Sequence, residues 1–136
     1  MTNLSRCVRY GDIPLSDYCK RANNEVAVAV QIENREGIKN LDEILSVKGI
    51  DIVTTGRQDF SQSYGVPGQS KHPDINAAED KVIERGVAHG IFPLITAGNR
   101  EEMETLRAKG VLLQTICFDS IFFLQQLKNL LASFRK

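Results

Sequence analysis

The stretch Val26-Ala27-Val28-Ala29-Val30-Gln31-Ile32-Glu33 decides the fold. Its β-branched content and its period of two read as a strand. Val26, Val28, Val30 and Ile32 form one bulky face suited to a covering helix, while Ala27, Ala29, Gln31 and Glu33 form a second that turns polar toward the carboxyl end. In parallel α/β proteins, ligands gather just beyond the carboxyl ends of the strands, where loops and helix N-termini meet. Glu33 stands at such an end, and Asn34 behind it suits the N-cap of a following helix.

Outward from this strand the pattern repeats. Before it, residues 1–12 read as an irregular lead-in, and Ser16 opens a short helix over 17–24. After it, Ile38, Leu41, Ile44 and Leu45 mark one helix over 35–47, ended before Gly49. A second strand spans 50–56. Residues 57–62 lead into a loop rich in Gly, Pro and Ser that runs to Pro73. A helix over 75–89 carries Ile75, Ala78, Val82, Ile83 and Val87 on one side and is stopped by Gly90. The third strand is 91–97, Asn99 caps a helix through Lys109, Gly110 stops it, and the fourth strand is 111–118. Strand and helix thus alternate four times in what reads as one partial domain over 1–136. Crossovers of this length demand parallel strands with right-handed connections. The closing helix, 120–135, carries Ile121, Phe122, Phe123, Leu124, Leu127, Leu130, Leu131 and Phe134, more apolar surface than one small sheet needs; a second subunit would cover it.

Composition narrows the function. Seventeen basic and seventeen acidic residues in 136 cancel, so no global field draws in nucleic acid or an anionic membrane. No apolar run approaches the roughly 18 residues of a membrane span, and the start of the chain lacks the apolar core of a signal peptide. Cys7, Cys19 and Cys117 are odd in number and lack CxxC spacing, which reads as reduced packing thiols in a cytoplasmic protein.

One pair of acids stands out. If the first two strands are neighbours, about 4.8 Å apart, Glu33 and Asp59 can reach one small cation. Two carboxylates with no nearby thiol or imidazole favour a hard ion, Mg²⁺ or Mn²⁺, with open positions for a substrate that offers two oxygens. The same residues also allow a capping box from Asp59 to Gln62, with Glu33 a solvated acid. Gln31 shares the face of Glu33 and is suited to orienting a ligand or water, or to bonding nearby backbone. His72, His89, Ser61 and Ser63 read as capping or surface residues. There is no Ser-His-Asp order, and the glycines after Tyr64 lack a P-loop Lys.

Gln31-Ile32-Glu33, Asn40 to Leu45, Gly49-Ile50-Asp51, Gly56-Arg57-Gln58-Asp59-Phe60-Ser61, Gly65-Val66-Pro67-Gly68 and His72-Pro73 together resemble the HpcH/HpaI aldolase family, in order and from about Arg6 to the end of the chain. The resemblance implies the carboxyl-terminal half of a (β/α)₈ barrel: four parallel strands with outer helices and a last helix exchanged between subunits. It implies a carbon–carbon lyase that releases pyruvate from 4-hydroxy-2-oxo acids, using Mg²⁺, Mn²⁺ or Co²⁺ held by Glu33 and Asp59. The ion would bind the 2-oxo acid and stabilise the enolate formed as the bond breaks. Gln31 would take a catalytic place, and Gly56 with the backbone around Gln58 and Asp59 would receive the substrate carboxylate. The family's catalytic His and the Arg that steadies the enolate belong to the other half, so reduced activity, a homo-oligomer and pairing with a separate amino-terminal half are expected. Three positions depart from the family: Arg57 stands where a Pro is usual, Leu94 where a Gly is common and Cys117 where a small residue is. These larger side chains are expected to crowd the substrate pocket.

Overall fold

The computed structural model describes residues 5–135; the first four residues of the expected lead-in lie outside it. Four parallel strands, β1 (Ala29–Ile32), β2 (Ile52–Thr55), β3 (Phe92–Thr96) and β4 (Leu113–Thr115), lie side by side in chain order. Helices α1 (Leu15–Glu25), α2 (Arg35–Lys39), α3 (Leu41–Leu45), α4 (Arg57–Ser63), α5 (Pro73–Ala88), α6 (Arg100–Ala108) and α7 (Asp119–Phe134) precede, join and follow them. The strands and their crossovers are those the hydrophobic periods require.

Val30 and Ile32 of β1 and Val53 of β2 face outward onto Leu41, Leu45, Ile75, Ala78 and Val82. Ile83, Ile95, Ala97, Leu106 and Val111 continue the core under α6. By alternation, Gln31, Thr54, Phe92, Leu94 and Leu113 face the other way, and Gln31, Phe92 and Leu113 are exposed. Parallel sheets ordinarily have both faces covered. Here only the outer face is covered by the described residues.

Local details differ from the sequence expectations for physical reasons. Val26 and Val28 are exposed because Val26 caps α1 and the ladder begins only at Ala29, so Val30 and Ile32 alone do the packing. The expected helix over 35–47 is broken at Asn40, whose φ of −97° and ψ of 14° end α2 and start α3, yet Leu41 and Leu45 still reach the core. The stretch 57–62 is helical, as α4. Residues 6–11 form a tight 3-10 turn in which Val8 is buried while Arg9 and Tyr10 take left-handed φ. Cys7 and Cys117 are exposed and Cys19 half-buried, which corrects their reading as packing residues: Cys7 sits on the outside of that turn and Cys117 beyond the open edge strand. Val87 is exposed because the buried stripe of α5 runs through Glu79 and Gly86 instead.

The described residues of α7 are all exposed. A right-handed βα unit lays its helix across its own strand and the next. Among the described residues β4 is an edge, so α7 has no next strand beneath it.

Two predictions test this packing. A Cβ on Gly86 would lie 2.9 Å from Val53 Cγ1 and 3.3 Å from Pro93 Cγ. Gly86→Ala therefore lowers stability by about 1–3 kcal/mol in denaturant unfolding, outweighing the roughly 1 kcal/mol that Ala gains in a helix. The Arg85 guanidinium, by hydrogen bond and charge, holds the Asp42 carboxyl below the usual carboxylate range against its partial desolvation, with His89 assisting. A depressed folded-state pKa stabilises above the unfolded value of about 3.9, and that gain is lost as pH falls through the folded value. The thermal midpoints of the unsubstituted chain and Asp42→Asn are expected to differ near neutral pH and to converge in acid below that range.

Candidate functional site

β1 and β2 bring the two halves of the site together. Ile32 pairs with Thr55, and the Gly56 N–H donates to Ile32 O at 3.4 Å, so residues 31–33 lie beside the start of α4. Gln31 and Glu33, two apart on a strand, share one face, and Gln31 Nε2 donates to Glu33 Oε2 at 2.5 Å. From the neighbouring strand, Gly56 is the N-cap of α4 and Asp59 lies in its first turn. A Cβ on Gly56 would stand 2.8 Å from Gln31 Nε2, 3.0 Å from Asp59 Oδ2 and 3.1 Å from Glu33 Cβ. Three of the expected site side chains therefore converge over the one residue that has no side chain.

This placement removes the capping-box alternative. Asp59 is the third residue of α4, not its N-cap, and Phe60 N–H, bonded to Gly56 O at 2.8 Å, is the first amide to find a helical acceptor. The N–H groups of Arg57, Gln58 and Asp59 are the helix's orphan donors. Gln58 itself is exposed.

The donor set suits a hard divalent ion. Among the described residues no three His, Cys, Asp or Glu side chains cluster, so the protein offers two carboxylates and a side-chain amide. Mg²⁺ is bound in this way, through one or two carboxylates with the rest of its shell left to water and substrate. The absence of a side chain at Gly56 leaves space between these three groups.

The other candidates fall into structural roles. His72 caps α5, its Nδ1 accepting from the Asp74 N–H at 3.3 Å, and His89 ends the same helix beside Arg85. Ser63 Oγ accepts the Arg35 N–H at the start of α2, and buried Ser61 joins Gln58 O to the Gly68 N–H. Arg57 is not directed at the carboxylates: its guanidinium is occupied by Glu79, Ser70 O and Asn76. An open hollow of ≈ 370 Å³ lined by Asp51, Ile52, Phe92 and Leu113 lies toward the opposite, amino-terminal ends of the strands.

Sequence reading missed two braces. Arg35 lies 4.7 Å over the Tyr64 ring and donates to Tyr64 O, fastening α2 to the end of α4. Glu79 lies on the buried stripe of α5, four residues after Ile75. A charge at that spacing on an apolar stripe was the available signal.

The model of the HpcH/HpaI aldolase/citrate lyase family matches residues 4–125. The chain belongs to this family. It is 34% identical over 131 residues to the 4-hydroxy-2-oxo-heptane-1,7-dioate aldolase of Escherichia coli, covering 96% of this chain and 49% of that enzyme. It is 41% identical over 78 residues to the hydroxypyruvate/pyruvate aldolase of Sagittula stellata, covering 57% of this chain and 30% of that one. The structure superposes with a TM-score of 0.83 on an HpcH/HpaI aldolase/citrate lyase family protein from Burkholderia cenocepacia, at 29% identity, over all of this chain and 52% of that one. It matches citrate synthase SbnG with a TM-score of 0.82, also at 29% identity, over 90% of this chain and 50% of that one. The chain thus spans about half the length of the HpcH/HpaI relatives it matches along most of its length, and its four strands form about half of their barrel.

Gly56→Ala tests the convergence. Of the neighbours that the new methyl meets, the Gln31 amide and the Asp59 carboxylate are far ends of flexible side chains, so they are expected to move. Glu33 Cβ, 3.1 Å away and fixed to the backbone, must also give way, so the predicted result is a shifted Gln31 side-chain amide resonance with stability lowered by about 1 kcal/mol.

Proposed function

We propose that this chain is the carboxyl-terminal half of an HpcH/HpaI-type aldolase that acts on 4-hydroxy-2-oxo acids and releases pyruvate. Glu33 and Asp59 hold its divalent ion, Mg²⁺ or Mn²⁺, with Co²⁺ an acceptable substitute. The convergence of Gln31, Glu33 and Asp59 over Gly56 carries this reading. The names of its aldolase relatives support the substrate class.

Each residue has a physical task. Gln31 fixes the Glu33 carboxylate by donating to it, so that the acid is held over the gap rather than free to rotate. Asp59 enters from α4, on a different element, which sets the spacing between the acids. Gly56, which has no side chain, leaves room for the substrate carboxylate, and the orphan amides around Gln58 and Asp59 donate to it, a favourable place for negative charge. A divalent cation held by Glu33 and Asp59 would supply Lewis-acid stabilisation of the charge that develops on the 2-oxo acid. Among the described residues no His or Arg joins these groups, so activity by itself is low and is restored by an amino-terminal half.

A second reading is a non-catalytic oligomeric subunit, favoured by the uncovered face of α7, where Phe123 is 66% and Phe134 78% exposed. Both readings expect a homo-oligomer, and only the first expects metal-dependent chemistry. Mn²⁺ titration and pyruvate release with Mg²⁺, Mn²⁺ or Co²⁺ separate them. The aldolase reading predicts Mn²⁺ binding that Glu33→Ala and Asp59→Ala abolish, with slow pyruvate release lost in the same variants. Absence of Mn²⁺ binding by the unsubstituted chain would remove the metal site.

A further inference from the structure

Glu79 is a carboxylate only 4% exposed, on the stripe of α5 that also carries Ile75, Ala78, Val82 and Ile83 into the core. A buried acid is costly unless it is fully paired. Its partners are arranged around one backbone position. Oε2 accepts from Thr55 Oγ1 at 2.7 Å and from Arg57 Nε at 3.0 Å, and Oε1 accepts from Arg57 Nη2 at 2.5 Å. Thr55 and Arg57 are the two residues that flank Gly56. Arg57 Nη1 extends the network to Ser70 O and Asn76 Oδ1, both at 2.9 Å, tying down the segment between α4 and α5.

Glycine is the residue whose backbone is least restrained by its own chemistry. Gly56 must nevertheless hold one conformation, because the direction in which α4 leaves it decides where Asp59 stands relative to Glu33. We propose that Glu79 and Arg57 form a clamp that fixes the Gly56 bend, and are positioning residues for the Glu33–Asp59 pair. The consequence for metal rests on the function proposed above; the consequence for the bend does not. The clamp does from outside what a proline at the first helical position does from within, since a Pro ring fixes φ there and gives up an N–H that has no helical acceptor.

That equivalence supplies the test, made on the full chain. Arg57→Ala with Glu79→Leu removes the clamp without leaving a buried charge. Arg57→Pro with Glu79→Leu removes it but restores rigidity at the same position. Two readouts are taken after circular dichroism has shown both variants folded: hydrogen exchange of the Phe60 amide, bonded to Gly56 O, in metal-free protein, and affinity for Mn²⁺ alone. The Ala/Leu variant is expected to exchange faster at Phe60 and to bind Mn²⁺ about 10–100-fold more weakly, while the Pro/Leu variant returns both toward the unsubstituted chain. Unchanged Phe60 exchange in the Ala/Leu variant overturns the clamp, as does equal impairment of the two variants, which would mark Arg57 and Glu79 as packing only. If the unsubstituted chain binds no Mn²⁺, the metal reading falls, and Phe60 exchange alone still decides the clamp.

Discussion

The parallel ladder between β1 and β2 is the constraint on which the site depends. Its register sets Ile32 against Thr55, so the next residues on the two strands, Glu33 and Gly56, emerge together at the carboxyl edge. A slip of one residue would turn Gln31 and Glu33 outward and bring Val30 and Ile32 inward. The slip is opposed by burial: Val53 and Phe60 are wholly buried, and Val30 and Ile32 pack into the same cluster. The geometry of the polar face is thus inherited from the hydrophobic pattern of the other.

Helix α4 adds the second constraint. It begins directly after β2, and its first turn carries Asp59 back over Gly56. Phe60 and Ser61, the next two residues, are fully buried and anchor the helix from below. Arg35 and Arg57 then brace it at its two ends, one against Tyr64 and one against Glu79. Two arginines therefore hold the helix that carries the acid, and neither one touches the acids of the site.

The outer face of the sheet is a finished core and the inner face is not. Phe92 and Leu113 face inward and are exposed, β1 and β4 have unpaired edges among the described residues, and α7 presents its aromatic and leucine side chains to solvent. This is the form expected of half a barrel, and the structural relatives, of which this chain covers about half, agree. Those relatives include a citrate synthase, so the fold by itself does not fix the kind of chemistry. The names of the aldolase relatives support the proposed aldolase chemistry, and its proposed groups lie at the end of β1 and the start of α4.

Much of this was legible in the sequence. The period of two at Val26 to Glu33 and the helical stripes at Ile38 to Leu45 and Ile75 to Ile83 require parallel strands with crossovers, because each apolar face needs a partner of matching period. That Glu33 and Asp59 come near one residue, Gly56, followed from assuming that consecutive strands are neighbours. Tertiary structure alone decided the rest. Nothing local distinguishes Asp59 as a helix cap from Asp59 as a first-turn residue; the choice falls to Gly56 because burial of Phe60 and Ser61 fixes where α4 begins. Arg57 looked like a side chain that would crowd the pocket, and the fold sends it to Glu79, since a buried carboxylate 22 residues away in sequence must be satisfied. Hydrophobic spacing is a local property and can be read along the chain, whereas the partner of a buried charge is settled only when distant segments meet.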